Sequence, residues 1–130
     1  MEIKYHEVAL EEVSKKMVAV LSGLSSLKIA VLFGSALRRR IVRDLDLGIV
    51  MEPEPSLREL IRLANVLEDT LGIPVDIIPL RKAPPKLRLK ALSGGYRLIV
   101  RDHELYTSLL TGALSEAVDL DLKLEKACFR

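Results

Sequence analysis

The chain has 130 residues, 49% hydrophobic and 29% charged, with a formal net charge of +2. A chain of this size suits one domain that buries roughly two-thirds of its unfolded surface, and this composition excludes a disordered or fibrous protein. No uncharged apolar run reaches the ~18 residues of a membrane span, and the start, Met1-Glu2-Ile3-Lys4, lacks the basic-then-apolar pattern of a signal peptide. The single cysteine, Cys128, cannot close an internal disulfide, so a reducing, cytoplasmic setting is expected. Glutamine is absent and asparagine occurs only at Asn65, while charged residues abound, a composition that suggests a thermophile.

Leu10, Val13, Met17, Val20, Leu21 and Leu24 recur at helical spacing and predict a helix over 7–24. The apolar run 28–33 reads as a buried strand that ends at Gly34-Ser35 and turns into a short helix. A second strand is expected over 44–50, stopped by Pro53 and Pro55. Ser56 and Glu59 form a capping box for a helix with Leu57, Leu60, Ile61, Ala64 and Leu67 on one face, closed by Gly72 and Pro74. Residues 75–79 predict a third strand, apolar but for Asp76. Pro84-Pro85 open a basic helical stretch ending at Gly94-Gly95, 96–100 is a fourth strand, and the chain is helical again from about 102 to about 126. The order predicts a single α/β (or α+β) domain over 1–130, with about four strands and helices packed mainly on one sheet face.

Asp44 and Asp46 stand two apart in an apolar segment. On a strand both carboxylates leave the same face, roughly 7 Å apart at Cα. Burying two like charges without a partner costs several kcal/mol each, and a divalent cation reverses that sign. Hard carboxylate oxygens suit Mg²⁺ or Mn²⁺. Asp76 repeats the pattern, and a neighbouring strand would bring it to the same ions. Three such aspartates can hold two ions ~3.5–4 Å apart, as phosphoryl transfer requires. Upstream, Gly34 and Ser35 present backbone N–H groups and a hydroxyl at a helix start, an arrangement that binds phosphate. Arg38, Arg39, Arg40 and Arg43 follow with no intervening acid and suit a triphosphate.

Taken together, Gly34-Ser35, eight further residues, Asp44-Leu45-Asp46 and a later strand with Asp76 resemble the DNA polymerase β superfamily of nucleotidyltransferases. The similarity is greatest to the minimal (MNT) group and covers the chain from Lys28 to about Val100. The resemblance implies a polymerase β palm-like fold with a mixed sheet. It also implies that Gly34 and Ser35 hold the β- and γ-phosphates of an NTP such as ATP, and that Asp44, Asp46 and Asp76 bind two Mg²⁺ or Mn²⁺ ions. Arg38 matches the family's arginine, and with Arg39 completes the expected nucleotide site. Two departures bear on the substrate entrance. Arg39 replaces the motif's second glycine, and the stretch before Asp44 is about two residues short, with Arg43 where a serine often stands.

The expected reaction is attack of an acceptor hydroxyl on the α-phosphorus of the NTP, with Asp44, Asp46 and Asp76 as catalytic residues and pyrophosphate leaving. The resemblance implies a HEPN-domain partner, with this chain as antitoxin of a toxin–antitoxin pair, in some cases by adenylylating the toxin. The rival is a non-catalytic module that neutralises its partner by docking alone. Seven basic residues and no acid lie between Arg81 and Arg101, but nucleic-acid binding is disfavoured because aromatic stacking platforms are lacking. Asp119 and Asp121 fall on a helix, where they point about 200° apart, and read as solvated.

The last helix carries two apolar stripes, Leu105, Leu109, Ala113, Ala117, Leu120 and Leu124, and Tyr106, Leu110, Leu114, Val118 and Leu122. One is expected in the core. The second either widens that core face or binds a partner, whether a HEPN-domain protein or another copy of the chain.

Overall fold

A computed structural model describes residues 6–7, 9–37 and 41–128. Its elements run β1 (His6–Glu7), α1 (Leu10–Leu21), β2 (Leu27–Phe33), a 3-10 turn (Gly34–Leu37), β3 (Ile41–Val42), β4 (Leu45–Met51), α2 (Leu57–Leu71) and β5 (Val75–Pro79). A second 3-10 turn (Leu80–Lys82), α3 (Pro85–Gly94), β6 (Tyr96–Val100) and α4 (His103–Cys128) complete the chain.

The main sheet has the order β5-β4-β2-β6, with β2 antiparallel to both β4 and β6, and β4 parallel to β5. The mixed sheet follows from the connections. A parallel pair needs a crossover, which α2 supplies between β4 and β5. β2 and β4 lie at the centre and are buried at every position but Lys28 and Asp46, as their otherwise apolar sequences require.

Alternation along β2 sorts the core into two layers. Ala30 and Leu32 pack with Leu45, Leu47 and Ile49 of β4, Met17 of α1, and Leu63 and Leu67 of α2. Ile29, Val31 and Phe33 pack with Val50, Leu80, Ala91 and Leu92 of α3, and Tyr106 of α4. The expected fold class holds, but the helices cover both faces more evenly than the expected one-sided packing. The basic helix α3 reaches its own sheet face because Leu87, Ala91 and Leu92 interrupt its charges.

Three local expectations shift. The helix predicted over 7–24 is trimmed to α1, because His6 and Glu7 instead pair with Val42 and Ile41 of β3. The capping box forms as read: the Glu59 amide donates to Ser56 Oγ at 3.2 Å and the Ser56 amide to Glu59 Oε1 at 3.4 Å. Yet α2 buries Leu63 and Leu67, with Leu60 and Leu71 beside them, while Leu57 and Ile61 face outward. The helix is rotated from the predicted face: Leu60, Leu63, Leu67 and Leu71, three or four residues apart, form the packed stripe, and Leu57 and Ile61 fall outside it.

Helix α4 divides around its circumference as well as along its length. Tyr106, Ala113 and Ala117 are buried and Leu105, Leu109 and Leu110 half-buried. Leu114, Val118, Leu120, Leu122 and Leu124, drawn from both predicted stripes, are between 41% and 53% exposed, and Leu114 stands between the buried Ala113 and Ala117. Face and length both contribute: Leu114 and Val118 lie off the side that buries Ala113 and Ala117, and the end of the helix has no partner element among the described residues to cover it. At about 1.5 Å per residue, the 26 residues of α4 outrun the ten of α3 on which it packs. Asp119 and Asp121 are exposed, and Asp121 pairs with Lys86 at 2.7 Å.

Candidate active site

At one end of the sheet β2 finishes, β4 and β5 begin, and the three aspartates meet. Leu45, Leu47 and Ile49 of β4 point into the α1/α2 layer. Alternation therefore sends Asp46, Gly48 and Val50 to the α3 face. Asp46 lies in register with Asp76 of β5, and neighbouring strands are about 4.8 Å apart. Asp44 falls just before β4 rather than on it, because the ladder starts at Leu45, whose amide donates to the Pro74 carbonyl at 2.9 Å. Asp44 and Asp46 are half-buried and Asp76 is exposed on edge strand β5.

Burial pushes the Asp46 carboxyl above the usual carboxylate range, the negative charges of Asp44 and Asp76 push it further, and the positive charge of Lys90 partly offsets them. Asp44 and Asp76 thus act on Asp46, as groups sharing a site do. Gly48 keeps this face clear for packing: a Cβ there would sit 2.8 Å from Leu80 Cδ2.

The glycine turn closes on the same carboxylate. Phe33, the last residue of β2, pairs with Asp46, and Gly34 follows with φ of +84°. A Cβ on Gly34 would lie 2.2 Å from Asp46 Oδ2, so the backbone at the turn abuts the acid. Ser35 continues this 3-10 turn. Arg38 and Arg39 lie outside the described residues. Gly34, Asp44, Asp46 and Asp76 are therefore assembled at one place, with the backbone of Ser35 at its rim.

Lys90 was hidden within a broad basic stretch in the sequence. No local signal distinguishes it; it gains meaning only once α3 folds over the face that carries Asp46.

Among the described residues no group of three or more His, Cys, Asp or Glu is arranged to hold a metal ion by itself. The donor set still fits Mg²⁺ or Mn²⁺, which are commonly bound by one or two carboxylates together with substrate phosphates. The crowded negative charge on Asp46 and the open backbone of Gly34 beside it are what a cation and a phosphate would satisfy.

The family model "Polymerase beta, Nucleotidyltransferase" matches residues 15–104. The chain belongs to that nucleotidyltransferase family. Among solved structures, one provisionally described as a minimal nucleotidyltransferase shares 34% identity with it, covering 68% of this chain and 94% of that one at a TM-score of 0.57. The tri-AMPylated Shewanella oneidensis HEPN toxin in complex with MNT antitoxin aligns at a TM-score of 0.74 and 19% identity, covering 91% of this chain and 94% of that one. A toxin–antitoxin crystal structure with AMP-PNP aligns at 0.74 and 20%, covering 88% and 94%. At these identities the latter two establish the shared fold. No curated protein matches the chain. No helix among the described residues is long and apolar enough to cross a membrane.

Proposed function

We propose that this chain is a catalytically competent MNT-type nucleotidyltransferase that moves AMP from ATP to a hydroxyl of a HEPN-domain partner, as the antitoxin of a cytoplasmic toxin–antitoxin pair in a heat-adapted cell. The observation that carries this reading is the assembly of Asp44, Asp46 and Asp76 against the Gly34 turn in a chain of the nucleotidyltransferase family. The solved MNT antitoxin that shares the fold stands in complex with an AMPylated HEPN toxin, which supports the choice of acceptor.

In this reading Asp44, Asp46 and Asp76 would hold two Mg²⁺ or Mn²⁺ ions, which supply Lewis-acid stabilisation of the charge that builds on the transferring phosphate. The backbone at Gly34 and Ser35, with Arg38 and Arg39, binds the β- and γ-phosphates. The acceptor oxygen bonds to the α-phosphorus as the bond to the β-phosphate bridging oxygen breaks. Pyrophosphate leaves, and Asp76, the most open of the three acids, takes the hydroxyl proton.

Incubation with a HEPN-domain partner, Mn²⁺ and ATP labelled in turn at the α- and γ-phosphorus tests the reaction. Label from the α position alone should reach the partner. Stable binding of the partner without any transfer would instead favour the docking module.

A further inference from the structure

Seven basic residues lie between Arg81 and Arg101, and the fold engages five of them. Arg81 pairs with Glu52 at 2.6 Å and Glu54 at 3.7 Å, and Lys86 with Asp121. Arg88 donates to the carbonyls of Leu80 and Ala83 and faces Glu116. Arg97 lies over the Tyr106 ring, 4.3 Å from its centroid, and Arg101 donates to the carbonyls of Ser22, Leu24 and Leu27. Lys82 and Lys90 close no ion pair or hydrogen bond among the described residues.

Those two lysines sit at opposite ends of the sheet. Lys82 follows the C-terminal end of β5, where Arg81 donates to the Met51 carbonyl at the end of β4. Helix α3 then runs back across the sheet, since the strand it leads into starts with Tyr96 opposite Leu32. That register lies one residue from the Phe33–Asp46 pair. Lys90, in the second half of α3, is therefore carried to the aspartate end. The next two residues, Ala91 and Leu92, are buried against the β2 face that includes Phe33, which fixes the helix there. The positive charge of Lys90 acts on Asp46.

We propose that Lys90 is a phosphate-contacting residue of this site, its ammonium holding a nonbridging oxygen of the bound NTP. The inference rests on the nucleotide reading above and adds to it. Once the aspartates are committed to cations, the counter-charge left for an otherwise unpaired ammonium on this face is the triphosphate, and Lys is well suited to bind phosphate as a mobile point charge.

Isothermal titration of the full chain with ATP in Mn²⁺ tests it. Lys90→Ala should weaken ATP binding roughly ten- to a hundred-fold, the range for loss of one charge-assisted hydrogen bond. Lys90→Arg should recover part of the loss, and Lys82→Ala should bind as the wild type does. Nucleotide-free melting temperatures should be unchanged, which separates ligand contact from a structural role. Wild-type binding with an unaltered Lys90→Ala, or an equal loss in Lys82→Ala, overturns this inference alone. Failure of the wild type to bind ATP overturns the nucleotide reading and this inference with it.

Discussion

Asp46 and Asp76 lie side by side on parallel strands, and a Cβ on Gly34 would press within 2.2 Å of the Asp46 carboxylate. One acid thus meets a like charge on one side and an open backbone turn on the other. Such an arrangement disfavours the ionised carboxylate in the free protein and suits a cation and a phosphate.

The raised pKa of Asp46 gives a pH dependence with a definite sign. Between the ordinary carboxylate value, about 3.9, and the raised value, the folded state binds more protons than the unfolded one. This contribution to stability is present in full below that ordinary value and is lost as pH rises through the raised one. In chelator, Asp46→Asn should remove this component and melt above the wild type at neutral pH. A variant that melts lower, with its pH slope unchanged, would contradict the cost of burying Asp46 beside Asp44 and Asp76.

Gly34→Ala tests the turn. A residue with a side chain at φ of +84° is strained by about 1–3 kcal/mol, and its Cβ must displace the Asp46 carboxylate. Urea unfolding should report a loss of that order, and ATP should no longer raise the melting temperature. A variant that keeps wild-type ATP binding would mean that the turn does not line the nucleotide site.

Much of this was legible in the chain before folding. Alternation around Asp46, the glycine after β2 and the Ser56–Glu59 box are local signals, and each stands where the sequence places it. What escaped depends on contacts distant in sequence. Pairing of His6 with Val42 is invisible to a helical window. The rotation of α2 depends on which sheet face it meets. The importance of Lys90 depends on a helix folded over a strand 44 positions earlier in the chain. The boundary between the buried and exposed faces of α4 depends on which side of it meets α3 and the sheet.

That boundary yields a further prediction. Leu114, Val118 and Leu122 follow one another at helical spacing on the exposed face of α4, and the function proposed above would have this surface take the HEPN-domain partner. Burying large apolar side chains contributes roughly 1.5–3 kcal/mol each, offset in part by the entropy of association. Leu114→Glu with Val118→Glu should change stability by no more than about 0.5 kcal/mol per exposed position while abolishing partner capture in size-exclusion chromatography. Ala113→Glu, at a fully buried position, should unfold the domain instead. A folded double variant that retains the partner would place the interface elsewhere, and one that changes only the size of the free protein would assign the surface to a second copy.

The central claim, that the aspartates form a metal–nucleotide site, is tested most directly by thermal unfolding with Mn²⁺ and ATP together. A ligand that binds only the folded state at a hundredfold excess over its Kd stabilises it by about 2.7 kcal/mol. The wild type should show an upward shift of that order. Asp44→Asn with Asp46→Asn should remain folded, melt at or above the ligand-free wild type because the repulsion is relieved, and show no shift. Equal shifts in the two proteins would contradict the assignment.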